Sequence, residues 1–287
     1  MSNSNDEEEE EEECDNEQIV LIIGSVGLDR LLTVSKFPTP DSKIRSKCYH
    51  EEGGGNAANT ASTIGILENA SFLKRKIRVK FLSKIGDDAV GTQLEKELHT
   101  SNVDTSSNLF QKGPQGSTSA FTTILVDLEG HTRTCIHTPG TSGELSAKDV
   151  ESQNMDQVFQ NVIHLHSDSR HTSASLVLAQ EAKKRNIPIS VDCEKDRKNS
   201  SFDSLIEIAD IIFTNSNCLG DYLGRLELEL EAKEGRIHLP DAMTSTNLDN
   251  HVTRKDYVTN VYTKSLGPIA FFTRWYSQVK KQVIVTQ

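Results

Sequence analysis

The alternation of short apolar strands with helices is the feature that most narrows the fold of this 287-residue chain. Residues 19–25 read IVLIIGS, an apolar run ending in Gly-Ser that is typical of a buried parallel strand. Further strands are predicted at 79–85, 162–167, 187–191 and 211–214, and helices at 56–67, 89–98, 173–185 and 204–209. This spacing predicts right-handed βαβ units, and therefore an α/β fold with a Rossmann-like, mainly parallel sheet and helices on both faces.

Two stretches do not follow the alternation. Residues 33–37 and 44–50 read as short, partly exposed strands around a proline-containing turn, and residues 119–138 read as a hairpin. Because no helices separate these strands, they predict a small separate β layer, a lid at about 33–50 and 119–138. We therefore place one α/β domain with its lid at residues 19–224.

The pattern breaks down after Gly224. Residues 225–235, RLELELEAKEG, alternate leucines like a strand but have the composition of a helix. Neither periodicity is sustained from 236 to 274, and only residues 283–286 again resemble a core strand. We therefore treat residues 225–287 as a divergent segment in which the C-terminal part of the fold is incomplete.

Charge and composition argue against several classes of function, including nucleic-acid binding and membrane insertion. The net charge of −11 is concentrated before residue 18, and residues 1–18 are predicted to be a disordered acidic tail. The remainder has no basic patch for nucleic acid and no apolar run near the roughly 20 residues that span a bilayer. The N-terminus lacks a secretory signal, and the five cysteines include no CxxC pair. We therefore expect a cytoplasmic protein with reduced thiols and no metal site.

The segment 51–61, EEGGGNAANTA, joins three glycines to the start of a helix. A helix N-terminus carries unpaired N–H groups, and glycines such as Gly54 and Gly55 let an oxygen-rich ligand approach them. Asn56 and Asn59 project from nearly one side of the first turn, and each amide both donates and accepts, as a hydroxyl does. The segment predicts a polyol clamp. Taken alone, the same residues would also fit a flexible loop before a tightly packed helix that binds no ligand.

Asp29 adds a carboxylate to this prediction. It follows the first strand in GSVGLDRLL, just beyond the carboxyl end, where ligands bind in open α/β sheets. A carboxylate there can accept hydrogen bonds from two adjacent hydroxyls. We therefore expect Asp29 and the two asparagines to converge on one polyhydroxylated ligand.

In this order, the segments resemble the ribokinase-like (pfkB) family of sugar and nucleoside kinases. The likeness rests on GSVGLD at 24–29, FPTP at 37–40, GGGNAANTA at 53–61 and SKIGDDAVG at 83–91. HSDSRH at 166–171 is similar to an acid-x-Arg segment of ketohexokinase-like members, and DIIFTN at 210–215 to the strand before the family's N-x-x-E motif. The resemblance covers residues 19–224.

The resemblance implies transfer of the γ-phosphoryl group of ATP, with Mg²⁺, to a hydroxyl of a sugar or nucleoside. It also implies a homodimer built through the lid. The sugar-binding residues that it implies are Asp29, Gly54, Gly55, Asn56 and Asn59, with Asp168 and Arg170 at the rim of the pocket. Asn215 would lie on the nucleotide side.

One family signature is absent from the sequence. D-T-x-G-A-G-D, whose last Asp takes the hydroxyl proton, does not occur in residues 215–287, and the N-x-x-E position reads NSNC. We therefore expect a truncated product with little or no kinase activity, because losing one stabilising donor commonly costs about a hundredfold in rate. Two alternatives stay open: a non-catalytic polyol- or nucleoside-binding or dimerising protein, and a product destabilised by an unpaired sheet edge.

Overall fold

The computed structural model describes residues 17–70, 76–233 and 282–286. The strands are β1 (Gln18–Ile23), β2 (Gly27–Val34), β3 (Cys48–Gly54), β4 (Ile77–Ile85), β5 (Val103–Asp104), β6 (Phe110–Lys112), β7 (Phe121–Asp127), β8 (Thr132–Thr138), β9 (Val162–Ser167), β10 (Ile189–Cys193), β11 (Ile211–Asn215) and β12 (Gln282–Thr286). The helices are α1 (Asn56–Asn69), α2 (Ala89–Thr100), α3 (Ala147–Glu151), α4 (Met155–Val158), α5 (Thr172–Lys184), α6 (Ser200–Ile208) and α7 (Ser216–Lys233).

The larger sheet is parallel and has the strand order β12-β11-β10-β9-β1-β4-β5, with β6 also paired to β4. The chain moves outward from β1 in one direction through β4 and in the other through β9 to β12. Such a reversal opens a crevice at the carboxyl ends of the central strands, which is where ligands bind in this class of sheet. The prediction of a mainly parallel α/β sheet is confirmed.

The apolar run of β1 is buried because both faces of the sheet are covered. Ile22 points to one face and packs with α1 and α2, while Leu21 and Ile23 point to the other face and pack with α5. All three side chains have no exposed surface. A strand covered on both faces therefore reads as a continuous apolar run in the sequence.

A second sheet, the lid, has the order β3-β2-β7-β8. Its first strand starts at Gly27 rather than at the predicted residue 33, and its second starts at Cys48 rather than at residue 44. Asp29 therefore lies within a lid strand, opposite Glu52 on β3, and not in a loop after β1. The sequence did not show this because a half-exposed strand tolerates charged residues and gives no apolar run.

Helix α7 crosses residue 224, where the sequence analysis ended the α/β domain. Its buried residues include Tyr222 and Leu223, and Leu226 packs against the same core. The predicted strand at 283–286 is β12, which pairs in parallel with β11. The description of 225–287 as a divergent segment stays a prediction, and 234–281 lie outside the described residues.

The predicted acidic tail, residues 1–18, also lies outside the described residues except for its last two positions. Among the helices of the described ranges, none combines the length and the apolar character needed to cross a membrane.

Candidate functional site

Asp29 lies directly against the backbone at the end of β3. The antiparallel pairing of β2 with β3 sets Gly27 opposite Gly54. A Cβ atom built on Gly54 would lie 2.2 Å from Oδ2 of Asp29, and its three nearest atoms all belong to that carboxylate. The absence of a side chain at Gly54 therefore leaves the room that the Asp29 carboxylate occupies. Gly54 lies two positions before the start of α1.

Gly55 turns the chain from the lid into α1. Its φ of +100° is a conformation that side chains other than glycine rarely adopt, and a Cβ atom there would lie 2.5 Å from the carbonyl oxygen of Ser25. The helix start is thus held against the segment that follows β1. This brings the first turn of α1 next to the Asp29 carboxylate.

The two asparagines of α1 present their amides at the surface. Asn56 and Asn59 are both exposed, and neither side chain has a hydrogen-bond partner within the described ranges. The adjacent backbone N–H groups differ: those of Ala57, Ala58 and Asn59 donate to Asp168, Ser25 and Gly55. The side-chain amides, and not these three N–H groups of the helix N-terminus, are therefore available to a ligand.

Asp168 positions the site from within the protein. Its carboxylate accepts hydrogen bonds from the backbone N–H groups of Ser25 (2.8 Å), Ala57 (3.2 Å) and Arg170 (2.9 Å), and from the Ser25 hydroxyl. A Cβ atom on Gly24 would lie 2.2 Å from its Oδ1. Asp168 is only 1% exposed. Its hydrogen bonds join the end of β1, the start of α1 and the loop after β9. The family resemblance implies a place for Asp168 at the rim of the pocket, whereas the structure buries its side chain.

Arg170 lies half-buried in the same loop. Its neighbours Ser169 and His171 both adopt left-handed backbone conformations, with φ of 62° and 50°. The His171 ring is buried: Nδ1 accepts from the N–H of Leu145 at 3.1 Å, so Nε2 carries the proton and donates to the Gly24 carbonyl at 3.1 Å. This ring fixes the loop that carries Arg170 to the end of β1.

A row of polar residues crosses the lid beside Asp29. In register across the four strands lie Glu52, Asp29, Thr122 and His137. Burial raises the pKa of Asp29 and the Glu52 carboxylate raises it further, while the Thr122 hydroxyl and the His137 ring oppose this shift. A carboxylate in such a position gains from hydroxyl donors that stabilise its charged form.

His137 connects the lid to the larger sheet. Burial lowers the pKa of His137 and Arg170 lowers it further, while Asp29 and Glu194 raise it. These residues come from the lid strands β2 and β8 and from the loops after β9 and β10. The row on the lid therefore lies within electrostatic range of the loops that follow the central strands.

Asp192 is a titratable residue close to Asp168 that the sequence pattern did not single out. It lies near the carboxyl end of β10, and burial, followed by Asp168 and Glu194, raises its pKa to about 6. Its position near a parallel strand's end could have marked it in the sequence. Thr122 and His137 were also missed, and only the register of the lid reveals them.

Asn215, the predicted nucleotide residue, serves as the cap of α7. Its Oδ1 accepts from the N–H of Cys218 at 2.8 Å and its Nδ2 donates to the Glu194 carbonyl at 2.9 Å. Within the described ranges no cluster of three or more His, Cys, Asp or Glu could hold a metal ion. The Asn215 side chain is therefore engaged within the protein, at the start of α7.

Comparison with known proteins agrees with this architecture. The chain is 22% identical over 204 residues to an ATP-dependent ribose-1-phosphate kinase of Halopiger xanaduensis, covering 71% of this chain and 64% of the relative. It is 24% identical over 209 residues to a ketohexokinase of Mus musculus, covering 70% and 64%. The chain thus spans less than two thirds, 64%, of the length of each of these relatives.

A solved structure of Arabidopsis thaliana ribokinase complexed with ribose and ATP has the same fold, with a TM-score of 0.56 at 17% identity, covering 71% of this chain and 62% of that chain. The family model described as pfkB family carbohydrate kinase matches residues 17–241, which is more than half of the sequence. The chain therefore belongs to the pfkB family of carbohydrate kinases.

Proposed function

We propose that the polyol site, formed by Asp29, Gly54, Gly55, Asn56 and Asn59, binds the hydroxyl groups of a sugar or nucleoside in the space between the lid and α1. The names of the relatives support this class, since they act on ribose 1-phosphate and on a ketohexose, and the Arabidopsis structure contains ribose.

The observation that carries the proposal is the seating of the Asp29 carboxylate on Gly54 beside two unengaged amides. The carboxylate offers acceptors only, while each asparagine amide offers an acceptor and donors. Neighbouring hydroxyls of a sugar need both kinds of partner. This combination therefore suits a vicinal diol better than an apolar or purely cationic ligand.

We further propose that this chain binds its ligand without transferring a phosphoryl group. In the family, ATP supplies that group, but D-T-x-G-A-G-D is absent from the sequence and Asn215 is engaged as a helix cap. The protein then acts as a polyol- or nucleoside-binding member of a kinase family.

Calorimetry with pentoses, hexoses and nucleosides, without ATP, tests binding. We expect Asp29→Asn and Asn59→Ala to weaken binding at least about tenfold, because each removes hydrogen bonds worth roughly 1.5 kcal/mol. Asn69→Ala is the matched control, since Asn69 is an exposed asparagine at the far end of the same helix. Equal losses in Asn59→Ala and Asn69→Ala would contradict the proposed site.

An ATP-consumption assay over the same panel tests the second part. We expect no sugar-dependent turnover above the background of a sample without ligand. Turnover that is abolished by Asp29→Asn would show that phosphoryl transfer does not need the missing signature, and our proposal of a non-catalytic role would then be wrong.

The lid also supports a second partner, another copy of this chain. Tyr49 on β3 and Ile136 on β8 are 56% and 53% exposed, and the register sets both on one face with Leu32 and Leu125. An exposed apolar face of this kind is typical of an interface. We expect a dimer in sedimentation velocity that Ile136→Lys dissociates, while Ile163→Lys on the larger sheet does not.

We also propose a reducing, cytoplasmic location. The four cysteines in the described ranges are free thiols, two exposed on the lid (Cys48 and Cys135) and two buried (Cys193 and Cys218). Exposed free thiols favour a reducing compartment. Fractionation of cells that express the tagged chain tests this location.

A further inference from the structure

Two arginines meet at the edge of the larger sheet beside the polyol site. Arg170 follows β9 and Arg197 follows β10, and these strands pair in parallel, so both loops leave the same edge. Both side chains are half-buried. Burial lowers the pKa of Arg197 and the neighbouring Arg170 lowers it further, which agrees with two guanidinium groups close together.

Neither guanidinium forms an ion pair within the described ranges. The nearby carboxylates are engaged elsewhere: Asp168 holds the four donors described above, and Asp196 binds Arg225 at 2.8 and 3.2 Å. Glu144 and Glu194 are near enough to oppose the shift in Arg197, but neither lies within the 4 Å of an ion pair. Neither guanidinium therefore has a carboxylate in direct contact, although the charges of Asp168, Glu194 and Glu144 act on Arg197 from a longer distance.

The Nε atom of Arg197 is buried and has no hydrogen-bond partner within the described ranges. An unmatched charged donor inside a protein is costly, so its place is best explained by a ligand that binds there. The rest of the guanidinium offers further donors in a planar fork, which suits the oxygens of a phosphate group. Two guanidinium groups offer N–H donors to several oxygens of a phosphate monoester, and its charge of about −2 strengthens such hydrogen bonds.

We propose that Arg170 and Arg197 form a phosphate-binding subsite beside the polyol site, and that the ligand of this chain is a phosphorylated sugar. The location rests on the proposed function, since the subsite borders the space that the polyol would fill. The same chemistry would also bind a phosphate of a nucleotide, so the test separates these two sources.

The test compares ribose with ribose 1-phosphate and ribose 5-phosphate by calorimetry, on the wild type and on Arg197→Gln. We expect a phosphorylated sugar to bind at least about tenfold more tightly than ribose. The ratio of the Kd of ribose to the Kd of the sugar phosphate should fall at least about tenfold in Arg197→Gln. Arg45→Gln is the control, because Arg45 is an exposed arginine in the loop between β2 and β3. It should leave the ratio unchanged.

Arg197→Lys keeps the charge but loses the planar fork, so it should give an intermediate ratio even if the glutamine variant folds poorly. Thermal unfolding in inorganic phosphate, against chloride of equal ionic strength, adds a measurement that needs no sugar. We expect stabilisation by phosphate in the wild type and in Arg45→Gln, and its loss in Arg197→Gln.

The outcomes distinguish this inference from the proposed function. If ribose binds as tightly as its phosphates and phosphate does not stabilise, the phosphate subsite is overturned while the polyol site stands. If no sugar binds but phosphate stabilises through Arg197, the subsite stands and the polyol site is overturned. If ATP, and neither sugar phosphate, binds in an Arg197-dependent way, the subsite stands but the assignment to a phosphorylated sugar is overturned.

Discussion

Replacing Gly54 by alanine tests the contact on which the polyol site depends. The new Cβ atom would lie 2.2, 2.5 and 2.9 Å from Oδ2, Cγ and Oδ1 of Asp29. To reach an ordinary contact, the carboxylate must move by more than about 1 Å. The backbone itself does not oppose alanine, because Gly54 is not among the glycines with positive φ.

Forcing an extra carbon into a packed site costs about 1–3 kcal/mol of unfolding free energy. Since the three nearest atoms all belong to Asp29, most of that cost should vanish when Asp29 is already alanine. We therefore expect Gly54→Ala to cost about 1–3 kcal/mol in the wild type and less than about 1 kcal/mol in the Asp29→Ala background.

Urea unfolding of the four proteins of this double-mutant cycle gives the coupling free energy. Gly220→Ala serves as control: a Cβ atom there meets no heavy atom within 4 Å, and Gly220 lies inside α7. In that helix alanine should stabilise by about 0.5–1 kcal/mol. Calorimetry should also show that Gly54→Ala weakens polyol binding at least about tenfold, because the carboxylate has left its position.

An equal cost of Gly54→Ala in both backgrounds would refute the reasoning, since Asp29 would then not be the group that the new methyl meets. Unchanged ligand affinity in a folded Gly54→Ala protein would refute the link between this contact and binding.

Three further substitutions test the surroundings of the site. Asp168→Asn should destabilise by about 2–4 kcal/mol in urea unfolding, because it leaves buried donors without a full set of acceptors. Asp192→Asn should be more stable than the wild type by about 1–2 kcal/mol above pH 6.5, allowing for partial solvent exposure. This gain should shrink as the pH falls from about 6 towards 4, because the folded state, where the pKa is raised to about 6, takes up a proton that the unfolded state does not. Arg225→Met should lower the free energy of unfolding by about 3–5 kcal/mol, because it removes the cationic partner of both Asp196 and Asp203. An unchanged melting temperature would contradict the described packing of α7.

Local sequence signals were enough to predict the larger sheet. Its strands are short apolar runs, and a strand buried on both faces has few other residue choices. The strand at 162–167 and the hairpin strand at 132–138 agree with the structure to the residue. The glycine–asparagine segment was likewise readable, because a positive φ at Gly55 and a helix start leave a direct mark on residue choice.

The lid and its polar row were not readable in the same way. Asp29 lies inside β2, and its partners Glu52, Thr122 and His137 come from strands up to about a hundred residues away. Half-exposed strands accept charged and apolar residues alike, so their bounds leave only a weak pattern. The burial of Asp168, whose carboxylate accepts from the N–H of Ala57 in α1, also depends on this assembly.

The sequence by itself determined the parallel sheet and the helix start at Asn56, and it predicted a polyol clamp that includes Asp29 and Asn59. Only the tertiary structure decided which groups remain available: it uses the backbone N–H groups of α1 and the carboxylate of Asp168 internally, and it leaves the asparagine amides and the guanidiniums of Arg170 and Arg197 without protein partners in the described ranges. The physical reason is that secondary structure follows from local periodicity, whereas the hydrogen bonds and charges left over in a site depend on neighbours that are distant in the chain.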